Sequence, residues 1–356
     1  MATSRSRRNI GIDLLRVFSI VMVVVGHAGA FPNQELLTIW RMPLFFMVSG
    51  FFFTPGRRVA TEFNRRWDTL IIPYLAWSVV ISVWLTVVLW GQEDRILEHL
   101  ATGWSGGPEQ SIFWMAAWFI TTLAAATLLR RILEQFGTSV VWAVAVAGLV
   151  VAHVGVELVD VGTLNMHPLV NTPLRLGLAW PVLFYLLVGE ALRKVLMPLV
   201  RHFASHLLAV LGVFLIATGL AITYTTDVRA HYIQTGDFGT PVATAAIAIV
   251  ITAGFILLFA TWVNDGLQQL RWTRAGVSRL VRTGTSVVFS HGLVIIWLYQ
   301  NGFGDNSMQH FWIRLGMALV VSFTIGLVLN TTPLARLLSG APQESNPIRR
   351  RKRDRS

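Results

Sequence analysis

Three observations predict an all-α fold, a polytopic bundle of transmembrane helices. Hydrophobic residues make up 54% of the 356-residue chain and charged residues only 13%, with a mean hydropathy of +0.59. Apolar runs of about twenty residues, long enough to cross a bilayer as helix, recur from end to end. Lysine and arginine collect in alternate loops between those runs, as in membrane proteins whose cytoplasmic loops are basic. No soluble globular domain combines this composition with this spacing.

The runs define ten spans, at about 10–29, 37–53, 69–90, 111–129, 138–157, 176–197, 207–225, 241–263, 284–299 and 310–329. The first carries Arg16 and lacks a small-residue cleavage site after a short apolar core, so it is not a signal peptide. The second is short and includes Arg41 and Pro43 near its start, yet LFFMVSGFFF is too apolar to leave in water. A third span follows an arginine-rich loop. The fourth comes after ATGWSGGPEQSIFW, whose glycines and proline suit a sharp surface turn. The ninth, TGTSVVFSHGLVIIWLY, carries His291 beside Ser290.

Placing the N-terminus in the cytoplasm puts 23 of the 29 lysines and arginines on that side. They include Arg57, Arg58, Arg65, Arg66, Arg130, Arg131, Arg193, Lys194, Arg279 and Arg282. Arg41, Arg95, Arg175, Arg229 and Arg314 fall at the outer side, where acids such as Glu35, Asp94 and Asp237 gather. Both termini are then cytoplasmic. The net charge of +11 is accounted for by topology, and no nucleic-acid partner is implied. Residues 1–9 form a short cytoplasmic segment and 10–339 one membrane domain. Residues 340–356 form a disordered basic tail held near an anionic leaflet.

Several chemistries are excluded. The chain has no cysteine, hence no disulfide or thiolate chemistry. It has no G-x-S-x-G elbow, Walker loop or H-E-x-x-H. His202 and His206 have metal-ligand spacing but sit in a basic loop without a carboxylate, so no metal is expected. No internal repeat is evident, which weakens inverted-repeat transporter folds.

The first span is the most informative. Eleven residues separate Arg16 from His27, which returns a helix to within about 20° and raises it about 16 Å. Both therefore lie on one stripe, with Asp13 within about 60° of Arg16. Ionisable groups inside a membrane are expensive and mark a pathway or a site. The plain alternative is that Arg16 snorkels to the headgroups and His27 marks the far interface. Arg57, Arg58, Arg65 and Arg66 lie directly below this face, and arginine forks bind phosphates; simple inside-positive charge explains each singly. His291, a single histidine near the middle of a helix, is either a hydrogen-bonded packing residue or a catalyst, the former being the commoner case. Most tryptophans, Trp118 among them, read as interfacial anchors, whereas the aromatics of the loop ATGWSGGPEQSIFW, Trp104 included, are suited to face a sugar ring.

IDLLRVFSIVMVVVGHA, with Arg16 and His27 as an Arg-x10-His pair, resembles the opening of the acyltransferase-3 family of integral-membrane O-acyltransferases. WRMPLFFMVSGFFF (Pro43, Ser49, Gly50), NRRWDTLIIPYLAW (Pro73, Tyr74), AAWFITTL (Trp118, Phe119), FYLLVGEAL and FSHGLVII (His291) are similar to later family segments, over about residues 9–330. One departure is that Arg65 and Arg66 are adjacent, followed by Asp68, where the family commonly has Arg-x-x-Arg.

The resemblance implies transfer of an acyl group, acetyl above all, from cytoplasmic acetyl-CoA to a hydroxyl of a glycan, lipid-linked sugar or other extracytoplasmic acceptor. The setting would be the plasma or inner membrane, among membrane lipids. In that scheme Arg57, Arg58, Arg65 and Arg66 hold the donor phosphates and Arg16 steers the thioester. Asp13 pairs with Arg16 and His27 is the general base. Trp104, Trp118 and His291 line the acceptor side. The rival function is a transporter or flippase using the same polar stripe, and a sensor or scaffold leaves the stripe unexplained. Arg16 and His27, about 16 Å apart, cannot both touch one thioester carbon. Either the donor arm spans the gap or the acyl group is relayed.

Overall fold

A computed structural model describes residues 9–29, 33–103, 111–270 and 272–342. Among these residues there is no strand, only an isolated bridge between Tyr232 and Asp237. Helices α1 (Ile10–His27) and α2 (Gln34–Phe51) lead into α3 (Val59–Arg66), which runs through a π-helical turn into α4 (Ile72–Val88). Then come α5 (Glu93–Gly103), α6 (Ala117–Leu133), α7 (Thr138–Asp160), α8 (Ala179–His202) and α9 (Ser205–Thr225). A second π turn joins α10 (Ala243–Leu258) to α11 (Asn264–Gln268). The described chain closes with α12 (Thr273–Arg282), α13 (Gly284–Gln300), α14 (Met308–Thr331) and α15 (Ala335–Ser339).

Each of the ten expected spans falls on a helix, but length and apolarity alone qualify six. These are Ile10–His27, Val59–Val88, Thr138–Asp160, Ser205–Thr225, Ala243–Gln268 and Met308–Thr331. A seventh is added if α12 and α13, bent by 63° at Thr283, count as one. The shortfall has physical causes. Helix α2 opens with Gln34 and Glu35 and carries Arg41, α6 has only 17 residues, and α8 contains Glu190, Arg193 and Lys194. The expected loops around 57–66 and 272–282 are largely helical. In α12, Thr273 and Val277 are buried one turn apart while Arg274 and Arg279 face outward, an amphipathic face that hydropathy alone does not register.

Helix α2 is central, packed on α1, α8 and α10. Its crossing with α8 is as close as backbones allow. A Cβ on Gly50 would lie 2.0 Å from the Leu186 carbonyl oxygen, and one on Gly189 1.8 Å from that of Met47. Small residues permit such approach, and in a membrane close packing replaces the hydrophobic effect as the force between helices. The main core surrounds this crossing and includes Phe46, Met47, Trp114, Phe119, Tyr185 and Val287.

Gly189→Val should therefore lower the thermal unfolding midpoint in detergent, at about 1–3 kcal/mol, because backbone cannot move aside as a side chain can. Gly276→Ala in α12, with nothing within 4 Å of the added carbon, should be neutral or stabilising by up to about 1 kcal/mol.

Candidate active site

Helix α1 is fixed at both ends. The Asn9 side chain accepts from the Ile12 N–H at 3.1 Å, an N-cap. Asn264 Oδ1 accepts from the Ile10 N–H at 3.0 Å, and Asn9 Nδ2 donates to Ala260 O at 2.8 Å. At the far end the fully buried Arg314 donates from Nε to Ala28 O at 2.6 Å. Its Nη1 donates to Asp305 O at 2.8 Å and also to Phe303 O. The guanidinium lies 4.6 Å from the centre of the Tyr299 ring. His27, one residue before Ala28, thus ends a turn that cannot fray freely.

His27 Nδ1 is 2.8 Å from His291 Nε2, with the two rings nearly parallel at 9° and their centres 5.1 Å apart. His291 Nδ1 in turn lies 2.8 Å from Val287 O. A carbonyl only accepts, so His291 Nδ1 carries the hydrogen and, in the neutral ring, Nε2 is the acceptor. His27 Nδ1–H must then donate, which leaves the lone pair of neutral His27 on Nε2. Among the described residues no hydrogen bond reaches that nitrogen.

His27 lines a cavity of about 110 Å³ together with Thr38, Arg41, Met42, Trp118, Phe119 and the 231–235 segment. That segment is pinned into the bundle. His231, 2% exposed, donates from Nδ1 to Ile39 O at 3.0 Å and accepts the Tyr185 hydroxyl on Nε2. Burial pushes the His231 imidazole down to about 3, so at neutral pH it is an uncharged strut. Arg175, in backbone of positive φ, donates to Gln234 O at 2.7 Å and holds the same segment.

A second cavity, about 400 Å³, is lined by Arg16, Arg65, Arg66 and Arg282 with Ser19, Ser49, Thr69 and Thr285. Val288 borders both cavities, so they meet at one wall. The buried Glu62 gathers Arg66 at 2.8 Å, Arg57 at 3.5 Å and Arg131 at 3.8 Å. Arg282 donates to Pro342 O and keeps a buried Nε without a partner.

The chain matches the acyltransferase-3 family model, described as an acyltransferase domain, over residues 9–331. It belongs to that family. No curated protein and no solved structure matches it. The protein is therefore a membrane acyltransferase.

Of the residues singled out by sequence, the acyltransferase brings His27, Trp118 and His291 together, with His291 behind His27 instead of on the cavity wall. Arg16, whose guanidinium lies 4.8 Å from the Phe52 ring centre, shares the larger cavity with Arg65 and Arg66. Arg57 is turned to Glu62, and Arg58 is exposed at the start of α3. Both lie off the cavity wall. Asp13 is buried in the first turn of α1 and lines neither cavity. Asp68 faces Arg336 at 3.5 Å instead of the loop arginines. Trp104, the loop 104–110, residues 1–8, Arg271 and the tail beyond 342 lie outside the described residues. No group of three His, Cys, Asp or Glu side chains among the described residues could hold a metal.

Sequence reasoning missed Arg41, Arg282, Arg314 and His231. Arg41 and Arg314 carried a signal, since each is an arginine inside a predicted apolar run or at its edge, the same anomaly that flagged Arg16. His231 sits in a loop and had none.

The tautomers are testable by solid-state nitrogen NMR on histidine-labelled protein. His27 should show a protonated Nδ1 and an unprotonated Nε2, and His291→Ala should redistribute that proton. Equal populations of both tautomers in the parent protein would contradict the bonding scheme.

Proposed function

We propose that the protein transfers an acyl group, acetyl above all, from coenzyme A to a hydroxyl of a glycan, lipid-linked sugar or comparable acceptor. The observation that carries this reading is His27. His27 lines one cavity, its Nδ1 is held by His291 so that Nε2 keeps the lone pair, and an arginine-lined cavity shares Val288 with the first. Family membership supports the acyl chemistry and gives the transporter reading no support.

In this mechanism Arg65, Arg66 and Arg16 bind the donor in the larger cavity, through charge-assisted hydrogen bonds to phosphate and carbonyl oxygens. Arg282 joins them from α12. The flexible pantetheine arm carries the thioester past Val288, so direct transfer needs no acyl relay. His27 Nε2 takes the proton of the acceptor hydroxyl. His291 fixes the tautomer of that base and disperses the charge it acquires, as the third member of a catalytic triad does. Trp118 gives the acceptor an aromatic wall. The basic loops support a cytoplasmic donor side, with both termini there, in a plasma or inner membrane.

Radiolabelled acetyl-CoA supplied to membranes containing the protein tests this. His27→Ala should lower label transfer by about 10²–10⁴-fold, the usual contribution of a general base. Arg65→Ala and Arg16→Ala should each weaken coenzyme A binding by about tenfold or more, as loss of a charged hydrogen bond does. Transfer that is equal in wild type and His27→Ala ends the assignment of the base.

A further inference from the structure

Arg41 is the most unusual charge in the molecule. It projects from α2 into the space above Gly26, where an added Cβ would fall 0.9 Å from Arg41 Nη1 and 2.1 Å from Cζ. Gly26 is the residue before His27, so the guanidinium lies beside the base in the same cavity. Its Nε and Nη1 are both buried, and neither has a hydrogen-bond partner among the described residues. Among the described residues that line the cavity there is no aspartate or glutamate.

A structural arginine in this fold looks different. Arg130 makes two bonds to Glu190, at 2.8 and 3.0 Å, and Arg314 makes three to backbone carbonyls. A buried guanidinium with idle donors is costly, and it becomes favourable only when negative charge arrives. We propose that Arg41 stabilises the oxyanion that forms at the acyl carbonyl during transfer, a role that rests on the reading of His27 as base.

The step balances as follows. The acceptor oxygen bonds to the thioester carbonyl carbon while His27 Nε2 takes its proton, and the carbonyl π pair moves onto oxygen. That oxyanion faces Arg41. Its lone pair then re-forms the carbonyl, the carbon–sulfur bond breaks, and the sulfur leaves with the electron pair. The proton on His27 passes to sulfur, giving the ester and free coenzyme A. Much of the remaining wall is apolar (Val23, Met42, Phe119, Val288), which strengthens a charge–charge interaction over its value in water.

The test uses the full protein in vesicles of its native lipids, with radiolabelled acetyl-CoA as donor and equilibrium dialysis of coenzyme A alone. Arg41→Met should lower kcat about 100-fold, the scale for loss of one oxyanion donor, with coenzyme A affinity within about twofold of wild type. Arg41→Lys should recover about tenfold of that loss, and added guanidinium should raise the rate of Arg41→Ala. A kcat within about threefold of wild type for Arg41→Met overturns the proposal. So does a loss confined to the acceptor KM, which would make Arg41 a site for an anionic acceptor group. Should Arg41→Met fail to fold, Arg41→Lys and the guanidinium series decide alone, and an inactive lysine variant with no rescue counts against it. If His27→Ala also transfers at the wild-type rate, the base assignment has failed as well. If His27→Ala is dead and Arg41→Met is not, only the role of Arg41 falls.

Discussion

A backbone carbonyl oxygen can accept a hydrogen bond and can never donate one, and the site inherits its polarity from that asymmetry. Val287 O fixes the proton on His291 Nδ1, His291 Nε2 therefore receives, and the His27 ring is left with its lone pair pointing away from both. The chain of bonds works only while His27 keeps its ring plane and height. Turning the ring over would put a carbon against His291. The fastening of α1 holds that height, with Asn264 on the Ile10 N–H at one end and Arg314 on the Ala28 carbonyl at the other. A helix terminus ordinarily leaves its last carbonyls to water; here a buried cation takes one of them.

Some arginines of this protein pair with buried acids and others line its cavities, and Arg66 does both. Glu62 draws Arg57, Arg66 and Arg131 into one buried knot joining α3 to α6, and Glu190 holds Arg130 between α6 and α8. Removing either carboxylate would strand charge in the interior, which is far more costly than never having placed it there. Arg66, Arg130, Arg131 and Arg314 each leave one donor idle while anchoring the others, whereas Arg41 leaves two. Unsatisfied charge at a cavity wall stores electrostatic stabilisation for a group that is absent between turnovers.

What could be read from the chain alone was whatever a single helix dictates. Arg16 and His27 share a stripe because eleven residues overshoot three full turns by only about 20°, and no tertiary knowledge is needed to see it. His291 stood out as a residue, but its bond to His27 spans 264 positions and depends on how α13 docks against α1. Arg57, Arg58, Arg65 and Arg66 looked equivalent when taken as a loop. Once α3 is helical, Arg66 sits four residues after Glu62 and pairs with it, whereas Arg65, three residues after Glu62 and also on the cavity wall, makes no ion pair with it. Arg41 and Arg314 were counted as outer charge because positive-inside bookkeeping assigns residues to sides and is blind to burial.

The distance along α1 between Arg16 and His27, the proposed donor anchor and the proposed base, is bridged by α13. The bend at Thr283 brings Gly284, Thr285 and Val288 onto the Arg16 cavity. Val288 borders the His27 cavity as well, and His291 follows three residues later, about 4.5 Å further along the helix. One helix therefore walls the arginine-lined cavity and, less than a turn later, holds the His27 ring. Apolar residues line part of each cavity, with Ile20, Ile120 and Leu123 in the arginine-lined one and Val23, Phe119 and Met42 in the other. Lining of this kind suits a thioester arm and repels bulk water. A carbonyl activated beside a base would otherwise be hydrolysed before an acceptor arrived, so under the proposed mechanism the apolar lining matters to the outcome as much as the placement of either charge.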